Sequence, residues 1–252
     1  MKKPVIILIF FALFITSCDN TDEIIDIIQN TPLTEAEVVA GLKSALTIGT
    51  DTAVSIVSKV NGYYLDELVK IYLPPEADII VDNADNPLLA AIGMQDLIDD
   101  IILKMNRAAE DAATEAIPIF VDAITAMTIQ EAFNILDGAD TSATHYLREN
   151  TYEDLKSAFQ PKIAGSLDKP LVGGISASES WASVTGLYNE VANSIAGQLA
   201  GLTPVNTELD EHVTVKALDG LFVKVGDEEK DIRTDPLARV NDILKKVFGK
   251  NK

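Results

Sequence analysis

His145 stands four residues before Glu149, with Asp140 a short way upstream. On a helix that spacing puts His145 and Glu149 on one face. A carboxylate beside an imidazole can orient a general base or back a metal ligand. The plainer chemistry of Asp140, His145 and Glu149 is a surface polar cluster whose i,i+4 pair is worth a few tenths of a kcal/mol. His212 adjoins Glu211 and is open to the same two readings. A catalytic zinc usually asks for about three His, Glu or Cys ligands. Two scattered histidines meet that only with help from carboxylates. We therefore assign no catalytic residue, no metal ligand and no cofactor from these positions.

Other reactive patterns are weaker. Asp82-Asn83-Ala84-Asp85-Asn86 and Asp137-Gly138-Ala139-Asp140 are oxygen-rich turns of the kind calcium uses. Ala84 falls where a calcium loop needs a ligand, and the closing bidentate Glu is missing, so helix capping is the better reading. No G-x-S-x-G nucleophile elbow occurs. Gly173-Gly174 lacks the spacing of a phosphate or dinucleotide loop. The run Asp227-Glu228-Glu229-Lys230-Asp231-Ile232-Arg233 reads as a solvated helix face, with Glu229 and Arg233 attracting at i,i+4.

One cysteine occurs in 252 residues, and its position is informative. Lys2 and Lys3 precede an apolar run from Val5 to Ile15, about eleven residues, which suits a signal-peptide core. A bilayer span needs roughly 20. Ile15-Thr16-Ser17-Cys18 follows and resembles the bacterial lipobox. That resemblance implies a diacylglyceryl group on the Cys18 thiol and cleavage after Ser17. Residues 1–17 are then a lipoprotein signal peptide. Residues 18–33 form an acidic tether with a short apolar patch from Ile24 to Ile28. Asp19, Asp22 and Glu23 resemble sorting signals of opposite kinds, inner-membrane retention and surface display, and equally a plain solvated tether. The expected address is the bacterial cell envelope, lipid-anchored through Cys18. That means the outer membrane, periplasmic or surface side, with the inner membrane as the other option.

Charge narrows the partners. The chain carries 39 acidic and 20 basic side chains, a formal net charge of −19. Removing Lys2 and Lys3 with the leader leaves 18 basic against 39 acidic, or −21. Phosphate binding needs a basic surface, so no nucleic-acid partner is expected. A single Cys excludes an intrachain disulfide and a multi-thiolate zinc site. An apolar fraction of 47% is ample for a packed core.

The elements that must carry these residues are helical. Thr34-Glu35-Ala36-Glu37 and Thr128-Ile129-Gln130-Glu131 have the form of capping boxes. Behind the first, Val38, Leu42, Ala45, Leu46, Gly49, Ala53, Ile56, Val57 and Val60 follow helical spacing, with a bend expected at Gly49-Thr50-Asp51. Asn61-Gly62 signals a turn, and Leu68 to Leu73 has an extended character. Pro75 and Asn86-Pro87 open further elements. Leu97 to Ala116 makes a stripe that Pro118 ends or kinks. One helix is expected from about Asp140 to Asn150, another from Thr151 toward Pro161, and the longest internal loop over 165–180. A helix over roughly 179–199 follows, then one of roughly 25 residues that carries the stripe from Leu209 to Val225, and Asp235-Pro236 recaps a last one. No sustained period-2 run and no fixed repeat appears. The fold class is all-α, a multi-helix antiparallel bundle in a single domain over residues 34–249.

Several segments carry a resemblance. They are Met105-Asn106-Arg107-Ala108-Ala109-Glu110, Ile135-Leu136-Asp137-Gly138-Ala139-Asp140, Leu209 to Phe222, Glu228 to Pro236 and Leu244 to Gly249. Together they resemble an uncharacterised bacterial family, domain of unknown function 4197, across about residues 34–249. Two departures are His212, where the family typically has Tyr, and a longer loop at Gly173-Gly174. The resemblance implies an exported, largely helical protein and carries no activity with it. The function expected is therefore a cell-envelope lipoprotein acting as a non-enzymatic binding or interaction module, with an unknown protein or lipid partner. The alternatives are a carrier of an apolar or lipid ligand between helices, and a metal-dependent enzyme.

Overall fold

Thr34 starts the first helix as its spacing predicts. Its hydroxyl accepts the Glu37 N–H at 3.3 Å, and the Glu37 carboxylate accepts the Thr34 N–H at 2.9 Å. The structure, a computed structural model, describes residues 33–78, 94–170, 174–199, 201, 204, 208–239 and 242–248. The leader, Cys18, the tether up to Pro32, the Asp82–Asn86 turn and the Asn86-Pro87 start lie outside the described residues.

Helix α1, Glu35–Val57, runs unbroken through Gly49-Thr50-Asp51, where a bend was expected. The Thr50 hydroxyl donates back to the Leu46 carbonyl at 2.8 Å, so it caps no new helix. Gly49 packs against Glu228 and Ile232, and that contact supports the backbone at its weakest residue. Beyond Pro75–Ala77, a 3-10 turn, comes α2, Met94–Ala112. A second 3-10 turn, Ala113–Glu115, leads into α3, Ala116–Ala126. Pro118 falls in the first turn of α3, where its missing N–H is tolerated. The Thr128–Glu131 capping box opens α4, Ile129–Leu136.

Helix α5, Ser142–Leu167, replaces the two helices expected on either side of Thr151. The Thr151 hydroxyl donates back to the Leu147 carbonyl at 2.6 Å and so starts nothing. Pro161 lies inside α5 and faces solvent, while Leu155, Phe159, Ile163 and Leu167 are buried on the opposite stripe. An interior proline costs about 3 kcal/mol. Burying Ile163 and Leu167 beyond it returns roughly 1.5–3 kcal/mol each, so the helix continues. Helix α6, Ala177–Ala192, begins as Ser176 and Glu179 exchange hydrogen bonds at 2.9 and 3.1 Å. The loop expected over 165–180 thus shrinks to the segment between Leu167 and Ala177. A break at Asn193-Ser194 separates α7, Ile195–Leu199. Then come α8, Leu209–Thr234, the 3-10 turn Pro236–Ala238, and α9, Asp242–Phe248.

Neighbouring long helices are antiparallel, and their cross-links show it. Between α5 and α8, Arg148 pairs with Asp219, Lys156 with Glu211 and Gln160 with Asp210. Between the α2–α3 segment and α5, Lys162 pairs with Glu115 and Ser166 with Asp111. Helix α8 also runs back along α1, since Gly49 meets Ile232 while Gly220 meets Tyr63, just past the end of α1. One hydrophobic core extends from Leu42 to Phe248. Among the described residues there is no strand, and no single helix is long and apolar enough to cross a membrane.

Candidate functional site

Between Val57 and Pro75 the chain is neither helix nor strand. Asn61 has φ 72, in the left-handed region, and Gly62 follows where a Cβ would strike the carbonyl oxygens of Ile56 and Val57. A loop of this length needs partners for its backbone groups. Its own turns supply some, as where the Asp66 N–H donates to the Tyr63 carbonyl and the Lys70 N–H to the Asp66 carbonyl, and helices α2 and α8 supply others.

From α2, Asn106 reaches Ile71 with both ends of its amide. Oδ1 accepts the Ile71 N–H at 2.9 Å, and Nδ2 donates to the Ile71 carbonyl at 2.8 Å. One turn on, Glu110 is buried and accepts the N–H groups of Tyr63 and Tyr64 at 3.2 and 3.3 Å. Its other oxygen pairs with Arg107, whose second arm donates to Asn61 Oδ1 at 2.7 Å. From α8, the Ala217 carbonyl accepts the Tyr63 hydroxyl at 2.7 Å. Burial, with the Glu110 charge adding to it, holds that phenol far above its ordinary range. Lys224 pairs with Asp66 at 2.7 Å. That hydrogen bond holds the Asp66 carboxyl below its usual range and Lys224 above its own. Gly220 permits the approach: a Cβ there would lie 2.8 Å from the Tyr63 ring and 3.0 Å from Val69 Cβ.

A second constellation repeats the chemistry elsewhere. Glu229, read above as part of a solvated face, is buried. It accepts the N–H groups of Ala143 and Thr144 at 3.0 and 2.8 Å and the Thr144 hydroxyl at 2.8 Å. It therefore caps the start of α5, where a negative charge also meets the positive end of the helix dipole. Arg233 pairs with Glu229 at 3.0 Å and donates to the Ile135 carbonyl, near the end of α4, at 2.9 Å. Its neighbour Glu228 is held above the usual carboxylate range by burial, and by Asp231 and Asp227. The cavity beside Glu229, bounded by Leu42, Leu46, Leu147 and Phe248, has about 20 Å³ of free space, room for a water and not for a lipid.

The pinned loop turns apolar side chains outward. Leu68 is 76% exposed, and Leu65, Val60 and Tyr72 are exposed with it. Leu68, Tyr72 and Pro75 face His212, Lys216 and Val223 of α8 across a groove of about 330 Å³. A second recess of about 280 Å³ continues from it along α8, sharing Asp219 and Val223 and reaching Arg148 and His145.

The structure brings His145 and Glu149 together at 3.1 Å, both largely in solvent. Asp140 is exposed on the turn before α5. His212 Nε2 donates to the Tyr72 carbonyl at 3.0 Å, so it braces the loop. Among the described residues no three of His, Cys, Asp and Glu converge as metal ligands. Asn106, Glu110 and Glu229 were missed, although the sequence holds a signal for each. Asn106 and Glu110 share one helical stripe with Ala109 and Ala113, and Glu229 shares another with Val225 and Ile232. A polar residue on a buried stripe must have a partner.

Fold and site together define a class: an all-α bundle that pins an irregular loop through buried side chains and presents it beside a groove. The chain belongs to the family described as Protein of unknown function (DUF4197), which matches over residues 32–249. No curated protein and no solved structure matches it. The segments that carry the family resemblance hold the loop clamp, Asn106 to Glu110, and the helix-start clamp, Glu229 to Arg233.

Proposed function

We propose that this chain is a lipid-anchored protein of the bacterial cell envelope that works as a non-enzymatic binding or interaction module. The anchor reading is supported by the sequence alone: a basic start, an apolar run, and Cys18 directly after Ser17. Two or more acyl chains hold a protein stably at a membrane, whereas one gives marginal binding.

The binding reading is carried by one observation. Loop 58–74 is fastened from behind by Asn106, Glu110 and Lys224, while Leu65, Leu68 and Tyr72 stand in solvent at its front. Folding gains nothing from exposing those side chains, and exposed apolar patches mark contact sites. A preorganised loop also loses little freedom on binding.

Two experiments test the two halves. Cys18→Ala, or globomycin treatment, should leave an unprocessed precursor, and normal maturation in either case removes the anchor. A photo-crosslinking amino acid at Leu68, in cells, should yield more adduct than the same group at exposed Lys230. Equal yields would remove the binding face.

A further inference from the structure

The chemistry of the groove narrows what it takes. On a chain of net charge −19, the two neighbouring recesses are lined, among the described residues, by Lys70, Lys216 and Arg148 against one acid, Asp219. Arg148 neutralises that acid at 2.7 Å and lies 5.2 Å from the rings of Tyr152 and Phe222. Lys70 Nζ sits 4.8 and 5.3 Å from the rings of Tyr64 and Tyr72, with Glu67 at 3.9 Å on the rim. Lys216 is exposed and has no ion-pair partner among the described residues. His212, Lys216, Asp219 and Val223 are spaced four, three and four apart, so they form one stripe of α8 along the groove. That stripe is about 16 Å long, the length of roughly five residues of extended chain.

Resting on the binding-module reading above, we infer that the groove takes an extended acidic–aliphatic peptide segment of a partner protein. Its carboxylates meet Lys216 and Lys70, and its aliphatic side chains lie on Leu68, Tyr72 and Val223. The surrounding negative field repels acidic molecules in general. Only a ligand that also fills the apolar floor overcomes it, and such opposed terms give specificity.

The test titrates fluorescein-labelled Glu-Leu-Glu-Ile-Glu into the full-length chain and reads anisotropy, beside Gln-Leu-Gln-Ile-Gln and Lys-Leu-Lys-Ile-Lys. The acidic probe should bind about tenfold tighter than the amide probe. Lys216→Glu should cut that preference severalfold, and Lys216→Gln should cut it less, the remainder resting on Lys70. Leu68→Ser should weaken the acidic and amide probes alike. Equal affinities in the unsubstituted chain, or an acidic preference undiminished by Lys216→Glu, overturns the inference. So does Lys216-dependent sedimentation with phosphatidylglycerol vesicles, or self-association lost in Leu68→Ser, because each gives the groove another occupant. A strong Leu68 crosslink with no acidic-probe preference would leave the binding module standing and remove only this ligand.

Discussion

Glu110 and Glu229 are the same device used twice. Each is a buried carboxylate that accepts two consecutive backbone N–H groups, and each is paired with an arginine one helical turn away. In both, the arginine also donates into the chain ahead of the segment that is held, to Asn61 two residues before Tyr63 and to Ile135 eight residues before Ala143. What they hold differs. Glu229 starts a 26-residue helix inside the bundle, with the helix dipole in its favour. Glu110 holds a loop of irregular turns. The first clamp serves the fold, whereas the second builds a surface.

Breaking the clamps should separate these roles. Glu229→Ala leaves Arg233, only 13% exposed, without its counter-charge and orphans two N–H groups. We expect a loss of about 3–5 kcal/mol, read as a lowered urea midpoint for the whole domain. Glu110→Ala should cost less, about 2–3 kcal/mol, because Arg107 is 32% exposed and can turn to water. Its distinctive mark is local: hydrogen exchange at Tyr63 and Tyr64 should accelerate while that of Ala143 and Thr144 is preserved. Equal spread of both effects through the bundle would erase the distinction.

A smaller effect concerns pH at the loop alone. Asp66 is held low by Lys224, so its contribution is complete above its ordinary value of 3.8 and is lost as pH falls further, through its folded pKa. Lys224 is held high, so its contribution is complete below 10.5 and is lost as pH rises through its folded pKa. The protection of the Val69 and Lys70 amides, measured against their intrinsic exchange rates, should be greatest between those limits and fall at both ends, with no counterpart at α5. The smallest effect belongs to His145→Ala. Its pair with Glu149 is exposed, and stability should move by no more than about 0.5 kcal/mol.

Helix starts were legible because their signals are local. Thr34 and Thr128 each find their partner three residues on. The continuity of α5 was not, because Thr151 and Pro161 are local stop signals outweighed by burial of a stripe whose partners lie on other helices. The clamps were hidden for a related reason. Glu229 looks like its charged neighbours until α5, 85 and 86 residues away, is brought beside it. Asn106 and Glu110 lay inside a motif that the family resemblance pointed to, but their partners are 35 and 47 residues off. Cys18 was read from its neighbours alone and rests on them still.

The bond from Tyr63 to Ala217 joins groups 154 residues apart. It sets an order of events for synthesis. The ribosome has made Tyr63 long before the carbonyl that receives its hydroxyl exists. Contacts of such separation form late, after the local helices that frame them. A chain released short of α8 would carry the whole 58–74 segment and yet lack its backing. Its apolar side chains would then be free to misassociate. The surface is thus a late product of folding, available only on a chain that has emerged through at least Lys224.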